Sequence, residues 1–238
     1  EIFAQVSEAC QGLGIVLCGG HTEITYGLDR PIAVGLMLGE VDREDLVRTG
    51  GAQAGDHVIL TKGIAIEGTA VLAIEAPERL APHVKDGMLE RGRRFLKEPG
   101  ISVMHDAQVV VRVGKPHAMH DPTEGGLATG LWVLARASEK GIIVDRDKIH
   151  IFPETAAFCE VLDLDPLGLI ASGALLIAAA PDMSAPMVRA LHDEGISASV
   201  IGEVVDGPAT VQIRTERGLE SLPIFEQDEL SRVFGKPV

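Results

Sequence analysis

Hydrophobic positions along the chain switch between a helical and a strand period, and the switches mark its elements. Ile2, Val6, Ala9, Cys10 and Leu13 recur at helical spacing, with Gly14 as a stop. Residues 15–18 form a continuous apolar run that predicts a buried strand, and residues 31–38 predict a second. Helix, strand, strand over so short a stretch is too little to bury its own core. Residues 42–56 are rich in charge and Gly and read as a boundary, dividing the chain into 1–42 and 43–238.

Beyond the boundary, residues 57–61 predict a strand and 67–75 a helix. A longer helix is expected over 78–97, with Leu80, Val84, Met88, Phe95 and Leu96 on its apolar side, and another over 102–113. Leu127, Leu131, Leu134 and Ala135 form one apolar stripe, so a helix follows the polar turn at 121–126. Residues 142–144 predict a strand and 153–162 a helix. The apolar stretch 167–180 is broken at Ser172-Gly173, leaving a central strand over 174–179. Met183, Met187, Ala190 and Leu191 mark a helix that Gly195 stops. Ile196, Ala198 and Val200 alternate with serines, and Val211 and Ile213 alternate with Thr210 and Gln212 beyond Gly207-Pro208, which predicts a hairpin. Residues 226–234 predict a last short helix. Mixed strands and helices with an antiparallel pair give an α/β or α+β class.

Composition narrows the function. Hydrophobic residues are 46% and charged residues 24%, as in a packed globule. A formal net charge of −14 argues against non-specific nucleic-acid binding, which needs Lys and Arg on phosphates. An anionic substrate would then need a local positive patch, a helix N-terminus or a divalent cation. Aromatics at 3% leave few platforms for stacking bases. Cys10, Cys18 and Cys159 are an odd, sparse set beside apolar residues, expected to be buried free thiols in a reducing cytoplasm. No run reaches the ~18 apolar residues that span a bilayer, so no membrane partner is expected.

Two glycine pairs carry the candidate chemistry. In residues 118–129, Asp121 at an N-cap, Pro122 at N1 and Glu124 at N3 resemble a capping box. A cap leaves Gly125 and Gly126 unexplained, since each costs ~1 kcal/mol against Ala inside a helix. Close approach of a phosphate or of another backbone would explain them. Gly19-Gly20-His21-Thr22-Glu23 follows the first expected strand and suits either a phosphate turn with Thr22 and Glu23 at a metal or an ordinary connection. Gly63 and Gly68-Thr69 outline a P-loop but lack its Lys, which excludes that loop; Lys62 could still neutralise a phosphate from outside, but reads first as a solvated strand-end lysine. His117 and His120 have metal-ligand spacing without a second cluster.

Gly19-Gly20-His21-Thr22-Glu23, residues 54–62, 121–128, 164–167 and 201–204 occur in the order found in the aminoimidazole-ribonucleotide-synthetase-related (PurM-like) superfamily. The ordered set covers most of the chain and resembles above all its hydrogenase-maturation (HypE) branch. The resemblance implies that 1–42 end an N-terminal α/β domain that pairs into a homodimer. It implies that 43–238 form a C-terminal domain, a mixed sheet with helices packed on one side. It also implies ATP and Mg²⁺ in an interdomain cleft, used to phosphorylate an amide, a carbonyl or a small acceptor, either a small molecule or a protein terminus. Gly19, Gly20, His21 and Thr22 would face the nucleotide together with Gly125 and Gly126. Glu23 and Asp121 would hold the metal, and Asp121 and Thr123 would face the acceptor.

Departures from the pattern accompany the resemblance. The family's Gly-rich segment and Asp-containing metal motif would precede Glu1, so these residues alone are expected to hold ATP poorly. Glu124 stands where the hydrogenase-maturation branch carries Arg, and a carboxylate there repels phosphate unless Mg²⁺ intervenes. That branch uses a C-terminal Cys, whereas the sequence ends at Val238 and its last Cys is Cys159. With that end as the natural terminus the carbamoyl-to-nitrile reaction is not expected. A non-catalytic scaffold or delivery partner in a maturation complex is the alternative.

Overall fold

The computed structural model describes residues 2–235. The chain divides into two compact units, Glu1–Glu40 and Val41–Val238.

In the first unit, helix α1 spans Ile2–Gly12, as its periodicity predicts, and buries no residue. The strands expected over 15–18 and 31–38 are not formed; neither run has a ladder partner among the described residues. A strand must pair its backbone groups with a neighbour, and this unit supplies none among the described residues. Val16 and Val34 therefore remain 85% and 94% exposed. Cys18 is exposed and Cys10 half-buried, correcting the expectation of buried thiols, which holds for Cys159.

The second unit is built on a mixed seven-stranded sheet. Its strands are β1 (His57–Thr61), β2 (Ala118–His120), β3 (Gly141–Asp145), β4 (Leu176–Ala179), β5 (Ala198–Val205), β6 (Val211–Thr215) and β7 (Gly218–Ser221), in spatial order β2-β4-β1-β5-β3-β6-β7. The expected β5–β6 hairpin is corrected: β3 lies between them, antiparallel to β5 and parallel to β6. The alternation was right about both strands and silent about which edge each would meet. The true hairpin is β6–β7, closed at Thr215↔Gly218.

The helices are α2 (Ile66–Glu75), α3 (Pro77–Leu80), α4 (Met88–Arg94), α5 (Met104–Val113), α6 (Gly126–Ser138), α7 (Pro153–Leu162), α8 (Pro181–Asp193) and α9 (Leu230–Phe234). The single helix expected over 78–97 is broken into α3 and α4, with Gly87 at φ 78 opening the second. Pro82 between them lacks an amide donor, so the pattern continues while the hydrogen bonds do not.

Successive residues of β1 point to opposite faces. Val58 and Leu60 pack with Leu127, Leu131 and Leu134 of α6. Ile59 packs with Val109 and Val110 of α5 and Met187 and Leu191 of α8. Helices thus cover both faces, which amends the one-sided packing expected of this mixed sheet. A third cluster joins α2, α4 and α7 around Leu72, Phe158 and Cys159. No described helix is long and apolar enough to cross a membrane.

Candidate functional site

Strand register brings the candidate residues to one end of the sheet. Leu60 and His120 both lie beside Leu176, so the C-terminal ends of β1 and β2 flank the start of β4. Lys62 follows β1, the 121–126 turn follows β2, and residues 167–175 lead into β4.

The turn is not a capping box. The N-cap of α6 is Gly125 at φ 73, and Gly126, at φ 65, is its first residue. Asp121, Thr123 and Glu124 lie upstream and face solvent, whereas Pro122 is buried. Left-handed φ values account for both glycines, because a Cβ is strained there. Gly126 has a second reason: a Cβ would stand 2.4 Å from Leu167 O and 2.7 Å from Leu169 O. The close approach is that of another backbone.

Hydrogen bonds pin the turn from two sides. Thr123 O accepts the amides of Gly126 (3.0 Å) and Ala171 (3.2 Å). The Gly125 amide donates to Asp228 Oδ2 at 2.8 Å. Glu229 N donates to Gly168 O, and Asp165 N donates to Glu229 Oε2. The start of α6 thus already holds an anion, and it is the chain's own carboxylate.

What the turn offers to solvent is acidic. The Glu124 carboxyl is held below its ordinary value by its own backbone amide and then by the Thr123 hydroxyl. Burial lowers His120 below the usual histidine value, against an opposing pull from the Asp121 charge. Two carboxylates and a hydroxyl on one turn are hard oxygen donors, which suit Mg²⁺. A bare phosphate does not fit, because the Gly125 and Gly126 amides are engaged and the turn carries no cation.

Lys62 is not solvated. Its backbone is left-handed at φ 57. Its side chain is 8% exposed, with Nζ 3.0 Å from Asp106 Oδ2, itself 2% exposed. Nζ also donates to Ser102 O at 2.8 Å and Gly173 O at 2.9 Å. Three acceptors satisfy the ammonium, so it clamps β1, α5 and the segment before β4. Asp106 Oδ1 is buried without a partner. Two residues from Gly173, Ala171 holds Thr123, so the clamp braces the turn from behind. Asp106 lies one turn before Val109 and Val110 on the buried face of α5, the only sequence signal for it. Asp228 gave no local signal.

His117 is taken up by Asp56, its Nδ1 2.8 Å from Oδ1, while Asp56 Oδ2 accepts the Gln53 amide. The pair anchors the opposite end of the sheet. No group of three metal-ligating side chains occurs among the described residues. In the first unit, His21 Nε2 and Glu23 Oε2 are 3.8 Å apart, 84% and 74% exposed. Gly19 and Gly20 have no atom within 4 Å of an added Cβ. Burial first, then the charges of Asp165 and Glu229, push the Cys159 thiol up to about 12, so it is no nucleophile.

Comparison with known proteins supplies the family. A profile described as "AIR synthase related protein, C-terminal domain" matches residues 53–214. A Methanocaldococcus jannaschii protein named for hydrogenase expression/formation is 28% identical over 238 residues, spanning 98% of this chain and 67% of that protein. Carbamoyl dehydratase HypE of Cupriavidus necator is 33% identical over 225 residues, spanning 92% of this chain and 60% of the relative. The chain thus spans about two thirds or less of these relatives. A crystal structure of the hydrogenase maturation protein HypE in complex with ATP superposes with a TM-score of 0.63 at 23% identity, over 82% of this chain and 57% of that one. A thiamine-monophosphate kinase from Stenotrophomonas maltophilia superposes at 0.52 with 20% identity, over 73% and 54%. These two show the fold. The mixed sheet, the ordered motifs and the profile together place the chain in the AIR synthase-related, PurM-like family, with HypE proteins among its relatives.

Proposed function

We propose that the chain is part of an ATP-dependent enzyme that activates an amide or carbonyl oxygen during hydrogenase or related cofactor maturation. The observation that carries this reading is the 121–126 turn. It is rigidly held from behind, yet presents Asp121, Thr123 and Glu124 to solvent. Kinship with carbamoyl dehydratases supports the reaction class. The terminal phosphoryl group of ATP passes to the acceptor oxygen, ADP leaves, and the activated oxygen later departs as phosphate. Mg²⁺, when bound, supplies the neutralising charge that this transfer demands.

The chain's own residues bind and orient. Asp121 would supply carboxylate oxygens to Mg²⁺ when it is bound, and Glu23 is the first unit's own candidate ligand. The Thr123 hydroxyl orients the acceptor on a turn whose backbone is hydrogen-bonded to Ala171 and Asp228. Gly19, Gly20, His21 and Thr22 are the first unit's candidate nucleotide residues, and Gly125 and Gly126 shape the turn of the second. Calorimetry of the full-length protein with ATP and Mg²⁺ tests this. Binding should weaken about tenfold in Asp121→Ala and in Glu23→Ala. Absence of binding, or unchanged affinity in both variants, would sink the proposal.

One observation favours a second reading. The engaged Gly125 and Gly126 amides and the neutralised Lys62 leave the turn no donor for a bare phosphate. A maturation scaffold or delivery partner needs none. A solved HypE–HypF complex shows a protein of this fold assembling with another. A stable partner complex without ATP turnover would favour it.

A further inference from the structure

At the same end of the sheet, on the side of Lys62 toward α4, two hollows share a border of Lys62, His150 and Ser197. Their volumes are about 480 and 530 Å³, the size range of small-molecule sites. The larger has an aromatic wall: the Phe152 ring stands edge-on to His150 at 4.8 Å and to Phe95 at 4.9 Å. Gly63 lets this wall close on the chain, since a Cβ there would stand 2.7 Å from both His150 and Phe152.

The larger hollow is also lined by cations. Arg91 and Arg94 project from α4. Arg91 Nε meets Glu154 Oε1 at 2.5 Å, a carboxylate only 9% exposed, which leaves the guanidinium's terminal nitrogens for another acceptor. Arg94 is exposed and makes no ion pair among the described residues. The buried carboxylates of Glu154 and Asp106 balance Arg91 and Lys62, so the exposed Arg94 carries the hollow's unbalanced positive charge among the described residues. Glu98 on its rim is the opposing charge. This cationic concavity belongs to a chain of net charge −14, and the proposed transfer site does not use it.

We propose that this hollow binds a small planar aromatic anion, an aryl or heteroaryl phosphate or carboxylate. Its ring lies along Phe152 and His150, and its anionic group meets Arg91 and Arg94. Ser197 lines the border as a further hydroxyl donor.

The test is a titration of the full chain with phenyl phosphate, followed by NMR shifts or calorimetry. Phenyl phosphate resembles no nucleotide, so failure here leaves the ATP reading standing. The expected result is saturable binding at least tenfold tighter than inorganic phosphate, weakened by added salt. Arg94→Gln, at an exposed position and so without effect on folding, should weaken it about tenfold. Arg217→Gln, in the exposed β6–β7 turn, should leave it unchanged. Phe152→Leu should bring phenyl phosphate down to the affinity of inorganic phosphate. No saturable binding, equal affinity for the two ligands in the wild-type chain, or indifference to Arg94→Gln would overturn the proposal.

Discussion

Two glycine pairs of similar composition end up in opposite circumstances. Gly125-Gly126 sits between Asp121-Pro122-Thr123-Glu124 and α6, with both residues left-handed and a foreign backbone against Gly126. Gly19-Gly20 precedes His21-Thr22-Glu23 with ordinary φ values and open space. The first pair is required by the fold. At the second, an added Cβ would meet no neighbouring atom within its own unit. A shared local motif therefore carries different information depending on whether packing already explains its glycines.

Substitutions at the two turns separate these causes. The largest effect is expected behind the first turn. Lys62→Met strands the Asp106 carboxylate in the interior and should cost about 3–5 kcal/mol in urea unfolding. Much of that loss should return in Lys62→Met/Asp106→Leu, where both charges are gone. Gly126→Ala comes next, at about 2–4 kcal/mol, combining left-handed strain with a clash against Leu167 O. The same change at Gly20 should shift stability by less than about 0.5 kcal/mol. Asp228→Ala frees the Gly125 amide on a half-buried surface and should cost about 1 kcal/mol. It should also speed hydrogen exchange at Gly125.

The smallest effect is one of pH. Burial lowers the folded-state value of His120 below 6.5. The unfolded chain then binds the proton more tightly, so His120 contributes stability above pH 6.5 that is lost as pH falls through its lowered value. Unfolding midpoints between pH 7.5 and 5.5 should slope downward, and His120→Gln should flatten that slope. An unchanged slope would place the histidine in solvent.

Local periodicity carried the elements well. The strand over His57–Thr61 and the helix over Pro153–Leu162 are as the spacing predicts. It failed where the deciding contact lay elsewhere. Val200 and Val211 alternate like a hairpin, but Ile142 and Val144 of β3 pair between them. The apolar runs at 15–18 and 31–38 have the composition of strands and no ladder to join. The site divides in the same way. Asp121, Thr123 and the two glycines were visible as a local cluster. Lys62 was misread, because its acceptors at Ser102, Asp106 and Gly173 come from two distant segments. Asp228 reaches Gly125 across 103 residues, beyond the reach of any pattern of spacing.

The 121–126 turn is a braced acidic surface whose two glycine amides are already engaged, so the proposed nucleotide would reach it only through a cation. Calorimetry of ATP against the full-length protein, with Mg²⁺ and then with chelator, tests that directly. Binding should appear with Mg²⁺ and disappear without it. Equal ATP affinity in chelator would mean that the phosphates meet cationic or amide donors elsewhere and would contradict the account.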